Sequence, residues 1–378
     1  MLAVAAAQTS ARHSHAAGDS IQEILGPSIE QQHLAGAIVL VTDAEGTLLV
    51  EAVGSADLAT QRPMAEDSMF WIASMTKPMT GAALMMLVDE GRVGLDDPVA
   101  KHLPEFRELW VERSRTEDRL ELSRPARAIT IRDVLSHMSG MHFKSPVEEP
   151  TLDCVPLQTV ARSYPLQPLR SDPGTSYLYS NEGINTAGRI IEVVGGLPYE
   201  QFMQERLFAP LGMVDTTFHP SAAQVARLAT SYRAKEDKSG IAPVRIPQLK
   251  YPLDGAGRHP MPGGGLFSTA EDCSRFCRLV LGKGVFEGRR LLSEAAVAEM
   301  TKRQTPPTVK ESYGLGFSVG ADGTFGHGGA FATNMSIDRG RGLAVVWLVQ
   351  DAGSPPEWRA CAGEAQAWAM RHCAAKPR

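Results

Sequence analysis

The chain has 378 residues, of which 43% are hydrophobic and 21% charged, and its formal net charge at pH 7 is −5. This length predicts two or three domains and is ample for a sizeable core. So mild a negative charge gives no reason to expect nucleic acid or an anionic membrane as a partner. The apolar runs all fall short of the roughly 18 residues that a membrane span needs. The composition is typical of a soluble globular protein.

Residues 1–19 lack both the basic start and the apolar stretch of a signal peptide, so we predict a flexible N-terminal arm. The chain has 5 cysteines, an odd number. Cys273 and Cys277 are four residues apart and are interpreted as buried thiols, not as a disulfide or a metal pair. These features favour a cytoplasmic location, with a periplasmic or secreted one left open. No metal or cofactor is expected, because neither a His-Glu-x-x-His motif nor a nucleotide-binding glycine loop occurs.

Residues 20–32 have the pattern of an amphipathic helix, and two strands are predicted after it over 37–42 and 47–53. The turn residues between the strands predict a hairpin. An apolar extended segment at 68–73 then leads into a helix over 79–89. This helix is apolar on almost every side, so we expect it to be buried.

Ser74 and Lys77 lie at the start of that helix, three residues apart and therefore on one face. An amine placed beside a hydroxyl is one known way to activate a serine nucleophile. Pro78 is compatible only with the first helical turn, which places Ser74 at the helix N-terminus, where the dipole favours a developing alkoxide. The alternative is an ordinary buried helix with a capping serine and a solvated lysine.

Tyr179 and Asn181 lie in a turn-rich loop before a helix predicted over 184–194, in the one Tyr-x-Asn of the chain. Two proline-rich segments, 141–169 and 232–262, are predicted to shape a pocket around this loop. Long loops near a cleft often form lids. The first segment could equally be a plain connector.

His327, Gly328 and Gly329 precede a strand predicted over 330–337, and the glycines would let a substrate lie against the backbone. Strands are also predicted over 313–319 and 343–349, before a C-terminal helix over 356–373. Strands at both ends of the chain with helices between them predict one antiparallel sheet assembled from distant segments, and not a series of βαβ units.

In order and spacing, the Ser74–Lys77, Tyr179–Asn181 and His327–Gly329 elements resemble the serine β-lactamase and penicillin-binding-protein superfamily. The likeness is greatest to class C β-lactamases and to the family VIII carboxylesterases that share their fold. Residues 130–141 and 263–272 add to it.

The resemblance implies an α/β (α+β) fold, in which an antiparallel sheet flanked by helices carries an inserted all-helical domain. We expect residues 20–73 and 262–378 to form the sheet domain and residues 74–261 the helical domain, with the active site between them.

The resemblance also implies the role of each site residue. Ser74 is expected to be the acylated nucleophile. Lys77 and Tyr179 are expected to form the base, the charge of Lys77 bringing the pKa of Tyr179 below its usual value of about 10. Asn181 is expected to hydrogen-bond Lys77 and the substrate. The backbone N–H groups of Ser74 and Ala330 are expected to form the oxyanion hole.

His327 departs from the β-lactamase pattern, which usually has lysine at this position. A histidine with a pKa of about 6.5 is mostly neutral at pH 7, so it should bind the carboxylate of a β-lactam less well than lysine does. A neutral ester loses nothing by the change. The alternative role for His327 is a hydrogen bond to Tyr179.

The function predicted from these residues is a serine hydrolase acting on a small ester or amide, most simply an esterase on short-chain esters. A β-lactamase or D-amino-acid peptidase, a transacylase, and a catalytically idle binding or scaffold protein are the alternatives. His137 is interpreted as a structural histidine at a helix end, and Glu182 as a surface or capping residue. The sequence does not indicate an oligomeric state.

Overall fold

The computed structural model describes residues 20–237, 239–353 and 356–374. The flexible arm predicted at residues 1–19 lies outside them. The strands are β1 Gly36–Thr42, β2 Thr47–Asp57, β3 Arg62–Pro63, β4 Phe70–Trp71, β5 Val111–Arg115, β6 Leu120–Ser123, β7 Tyr232–Ala234, β8 Ile241–Pro243, β9 Phe267–Ser268, β10 Val285–Phe286, β11 Arg289–Arg290, β12 Ser318–Val319, β13 Phe325–Gly328, β14 Asn334–Asp338 and β15 Leu343–Leu348.

The helices, in the same chain order, are α1 Ile21–Glu30, α2 Thr76–Asp89, α3 Ile131–Leu135, α4 Leu157–Ser163, α5 Asn181–Gly195, α6 Tyr199–Met203, α7 Ala209–Leu211, α8 Ala222–Arg227, α9 Ala270–Leu281, α10 Glu294–Thr301 and α11 Pro356–Ala374. No helix in the described part of the chain is long and apolar enough to cross a membrane.

The main sheet has seven antiparallel strands in the order β12-β13-β14-β15-β1-β2-β3. Its central pair joins the two ends of the chain, because β1 pairs with β15 in a register that sets Leu40 opposite Val346. Every residue of β1 is buried, as its Val- and Ile-rich sequence and its central position require. Helices α1 and α11 pack on one face of the sheet and α9 on the other. The prediction of one antiparallel sheet built from distant segments is confirmed.

Helix α2 occupies the middle of the helical region, and its residues Thr76 to Leu87 are all buried. It packs against α5 and α10. A Cβ added to Gly81 would lie 2.6 Å from the Leu315 carbonyl oxygen, so a glycine is needed for this close approach. The main hydrophobic core contains both Leu40 of the sheet and Ile184 of α5. One core thus joins the sheet to the helical region, and the predicted domain boundaries at residues 74 and 261 stay a prediction.

Two predicted strands differ from the structure. The segment predicted as a strand over 330–337 begins only at Asn334, because residues 329–333 form the turn between β13 and β14. His327 and Gly328 therefore lie inside a strand, not before one. The strand predicted over 313–319 is reduced to Ser318–Val319 and an isolated bridge from Tyr313. The left-handed φ of +84° at Gly316 bends the backbone inside this predicted strand.

Candidate active site

Ser74 lies in a short 3₁₀ turn, Ala73–Met75, that runs directly into α2. Ala73 has a φ of +46°, a left-handed conformation that costs a residue with a Cβ about 1 kcal/mol or more. The neighbouring chain holds this conformation. Thr76 Oγ1 donates a hydrogen bond to the Ala73 carbonyl oxygen at 2.6 Å, and the Ile72 N–H donates one to Leu266 at 3.0 Å. The prediction that Ser74 is at a helix N-terminus is confirmed.

Lys77 is fully buried, and its amine is surrounded by three oxygen atoms. Nζ lies 3.0 Å from Ser74 Oγ and 2.8 Å from Asn181 Oδ1, and it also contacts the Gly263 carbonyl oxygen. Burial holds the pKa of Lys77 well below its usual range. All three partners are oxygen atoms that accept from Nζ, so the amine is held beside the Ser74 hydroxyl.

Tyr179 precedes the N-cap of α5, where Ser180 Oγ accepts from the Gly183 N–H at 3.0 Å. The Tyr179 ring centroid lies 4.7 Å from Lys77 Nζ. Burial raises the pKa of Tyr179 to about 12, while a hydrogen bond with Ser74 opposes this effect. The phenol is therefore protonated at neutral pH. These directions differ from the expected pairing of a lysine cation with a tyrosinate, because burial disfavours both charged forms.

His327 is buried, and both of its ring nitrogens are hydrogen-bonded. Nδ1 lies 2.6 Å from the Gly328 carbonyl oxygen and must donate to it, which leaves Nε2 to accept from the Tyr313 hydroxyl at 2.8 Å. Burial lowers the pKa of His327 to about 3. The ring is therefore neutral. Its hydroxyl partner is Tyr313 and not Tyr179, whose ring centroid is 6.1 Å away.

The turn that carries Ala330 packs against the chain just before the nucleophile. Thr333 Oγ1 donates to the Ile72 carbonyl oxygen at 3.2 Å, and the Gly329 N–H donates to the Thr333 carbonyl at 2.7 Å. A Cβ at Gly329 would lie 2.0 Å from Thr333 Oγ1 and 2.6 Å from the Ile72 carbonyl oxygen, so only glycine fits here. Ala330 and Gly328 are exposed, which leaves this edge open to a substrate.

The structure thus brings together Ser74, Lys77, Tyr179 and Asn181 through direct contacts, and sets the Gly328–Ala330 turn beside them. The roles assigned to these residues stay predictions. Within the described ranges, no group of His, Cys, Asp and Glu side chains is arranged to hold a metal ion.

Three residues at this site were not predicted from the sequence to take part in it. The Gly263 carbonyl contacts Lys77, Tyr313 anchors His327, and His137 packs on Tyr179 with ring centroids 4.4 Å apart. Gly263 and His137 lie in the stretches 263–272 and 130–141, which add to the family resemblance. That resemblance is the sequence feature that could have identified them as site residues. Nothing in the local sequence distinguishes Tyr313.

Glu182 is neither a surface residue nor a capping side chain for its own helix. It is buried, and its carboxyl group accepts from the His142 N–H at 3.0 Å and from Gln167 Nε2 at 2.9 Å. It therefore holds residues of the proline-rich 141–169 segment beside the site. In the same segment, the Phe143 carbonyl accepts from the Asn181 N–H at 3.0 Å, and the Phe143 ring stacks on Tyr179 at 6.3 Å.

Phe143 also lines a cavity of about 290 Å³. Its lining residues come from both proline-rich segments and include Pro150, Leu152 and Pro247. Its other lining residues are polar or charged: Lys144, Glu148, Thr151 and Gln248.

Comparisons with known proteins give the family and the fold of the chain. A family model described as Beta-lactamase matches residues 21–367. Protein Rv1367c of Mycobacterium tuberculosis (strain ATCC 25618 / H37Rv) is 33% identical, and the match covers 88% of this chain and 88% of that protein. Lovastatin esterase of Penicillium rubens (strain ATCC 28089 / DSM 1075 / NRRL 1951 / Wisconsin 54-1255) is 29% identical over 85% of this chain and 90% of its own.

The solved structure of EstCE1, described as a hydrolase with promiscuous acyltransferase activity, superposes with a TM-score of 0.76 at 23% identity. The superposition covers 92% of this chain and 97% of EstCE1, and shows that the two share a fold. From the family match and the identity to its relatives, this chain belongs to the Beta-lactamase family of serine hydrolases.

Proposed function

We propose that the protein is a carboxylesterase that hydrolyses small neutral esters through an acyl-enzyme on Ser74. The observation that carries the proposal is the position of Lys77 Nζ, 3.0 Å from Ser74 Oγ, in a buried setting that favours the neutral amine. A catalytically idle relative has no need to keep a base, a nucleophile and a phenol in mutual contact.

Acylation begins when Ser74 Oγ attacks the ester carbonyl carbon and Lys77 takes its proton. Lys77 can do so because its other two contacts are acceptors, Asn181 Oδ1 and the Gly263 carbonyl, which hold the amine in place. The N–H groups of Ser74 and Ala330 bind the negative oxygen of the tetrahedral intermediate, and each such donor contributes about 3 kcal/mol.

The intermediate then collapses as the carbon–oxygen bond to the leaving alcohol breaks. Tyr179 is protonated, shares a hydrogen bond with Ser74 and lies over Lys77, so it can donate its proton to the alcohol and regain one from Lys77. In the second half, water attacks the acyl carbon, and Tyr179 takes the proton of the water and passes its own to Lys77. Lys77 then returns a proton to Ser74 Oγ as the bond between Oγ and the acyl carbon breaks, which releases the acid product and restores the serine hydroxyl. An alcohol in place of water would give acyl transfer by the same steps.

The preference for a neutral ester rests on His327. A buried neutral ring with both nitrogens occupied cannot act as the cation that a β-lactam or peptide carboxylate needs. The cavity beside Phe143 offers the apolar side chains of Pro150, Leu152 and Pro247 to the uncharged part of an ester. The similarity to lovastatin esterase also supports ester hydrolysis.

The test is hydrolysis of p-nitrophenyl butyrate beside that of a chromogenic cephalosporin, with Ser74→Ala as the control. We expect ester turnover that the substitution abolishes, little cephalosporin turnover, and a butyryl adduct on Ser74 by mass spectrometry. Fast Ser74-dependent cephalosporin turnover would instead identify a β-lactamase. Absence of both turnover and adduct would identify an idle relative.

A further inference from the structure

His137 lies beside Tyr179 in a backbone conformation that is uncommon for residues other than glycine. Its φ is +62°, in the left-handed region, where a residue with a Cβ costs of order 1 kcal/mol or more. Its side chain is fully buried. Strain of this kind persists only where the surrounding contacts impose it, so the contacts of His137 indicate what the strain achieves.

Two of those contacts hold the backbone on either side of Tyr179. The His137 carbonyl oxygen accepts from the Leu178 N–H at 2.9 Å, and its ring nitrogen Nδ1 accepts from the Ser180 N–H at 3.1 Å. Because one residue binds both neighbours of Tyr179, the main chain there has little freedom to shift along or turn about its axis.

The imidazole ring also restricts the phenol directly. Its centroid lies 4.4 Å from that of Tyr179 and 4.6 Å from that of Tyr313, with Tyr177 at 5.7 Å. Tyr313 is in turn held by its hydroxyl contact with His327. The phenol of Tyr179 therefore packs on a ring that also packs on Tyr313, which is itself held in place.

The hydrogen bond from Ser180 defines the tautomer of His137. Nδ1 accepts, so the neutral ring carries its proton on Nε2, and Nε2 is buried without a hydrogen-bond partner among the described residues. Leaving a buried polar atom unpaired costs about 1–3 kcal/mol. His137 therefore has two unfavourable features, the unpaired Nε2 and the left-handed φ. The structural result of its contacts is a fixed position of Tyr179.

We propose that His137 is a positioning residue for Tyr179. His137 holds the phenol at Ser74 through its hydrogen bond with the Ser180 N–H and through ring packing. The inference rests on the proposed esterase mechanism, in which Tyr179 transfers the proton. A misplacement of about 1 Å at a reacting group can lower the rate about 100-fold. His137 touches no reacting atom, so its loss should act on kcat and leave KM nearly unchanged.

The test compares His137→Asn with His137→Gln, using p-nitrophenyl butyrate. Both substitutions introduce an amide, but only the shorter asparagine places its oxygen where Nδ1 lies, and asparagine tolerates a positive φ. We expect His137→Asn to retain at least tenfold more kcat than His137→Gln, with KM within threefold of the unmodified protein. Rates are expressed per Ser74 that forms the butyryl adduct, so that unfolded protein does not contribute.

The same two substitutions are then made together with Tyr179→Phe. If His137 acts through the tyrosine hydroxyl, the difference between asparagine and glutamine should disappear in that background. His33→Asn, a substitution outside the site, serves as the control and should leave both constants unchanged.

Equal kcat values for the asparagine and glutamine variants, or a difference that persists with Tyr179→Phe, would overturn the positioning role. Failure of the esterase proposal would appear separately, as the absence of Ser74-dependent turnover in the unmodified protein.

Discussion

Replacing Lys77 with methionine tests whether the amine is neutral in the folded protein. The side chain is fully buried, and burial lowers its pKa well below the usual 10.5. The unfolded chain therefore binds a proton that the folded chain does not, over the pH range between the two pKa values. In that range the free energy of unfolding rises as pH increases, by about 1.4 kcal/mol per pH unit, and it falls as pH decreases.

The stability that the neutral amine costs at pH 7 follows from the pKa of Lys77 in the unfolded chain alone. If the amine is neutral at pH 7, the 3.5 units up to 10.5 correspond to about 5 kcal/mol of lost stability, whatever the folded value below 7. Methionine does not incur this penalty. It leaves the Asn181 and Gly263 oxygens without their donor, which costs about 1–3 kcal/mol each, and this second cost does not depend on pH.

We therefore expect the free energy of unfolding of Lys77→Met, minus that of the unmodified protein, to decrease by about 2.7 kcal/mol between pH 7 and pH 9. The measurement is urea unfolding of both proteins at pH 7, 8 and 9, followed by tryptophan fluorescence and by circular dichroism. Other titrating groups contribute equally to the two proteins. A difference that stays constant with pH would mean that Lys77 is charged when folded, and would refute its role as a neutral base.

Three further predictions concern the chemistry and the strain of the site. Tyr179→Phe should lower kcat for p-nitrophenyl butyrate by about 10²–10⁴, the usual contribution of a positioned proton donor; unchanged turnover would show that another group protonates the alcohol. Ala73→Val should lower the urea midpoint by an amount equivalent to about 1–2 kcal/mol, because a β-branched residue disfavours the left-handed φ of +46°; an equal midpoint would mean that the turn relaxes. Burial raises the pKa of Glu182 to about 8, so the folded protein holds the carboxyl proton more tightly than the unfolded chain does. The contribution of the Glu182 side chain to stability is therefore complete at low pH and is lost as pH rises toward 8. Glu182→Gln should therefore gain stability relative to the unmodified protein between pH 5 and pH 8, in paired unfolding curves, and a flat difference would contradict the raised pKa.

Local spacing in the sequence determined a large part of this site. Ser74 and Lys77 share a helix face because they are three residues apart, and the apolar run after them required a buried helix, which α2 is. The short-range pattern of the sequence also predicted β1, β2 and the hairpin between them, and the two strands pair as expected. The resemblance carried by Tyr179 and His327 then led to the family and the fold.

Only the tertiary structure decided what surrounds these residues. His327 binds Tyr313 and not Tyr179, and Gly263 reaches Lys77 from 186 residues away along the chain. Such contacts depend on how distant segments pack, which no local period encodes. The lowered pKa of Lys77 has the same origin. A lysine is a cation in water, and the pKa of Lys77 lies well below its usual range because the packed chain removes the water that would stabilise its charge.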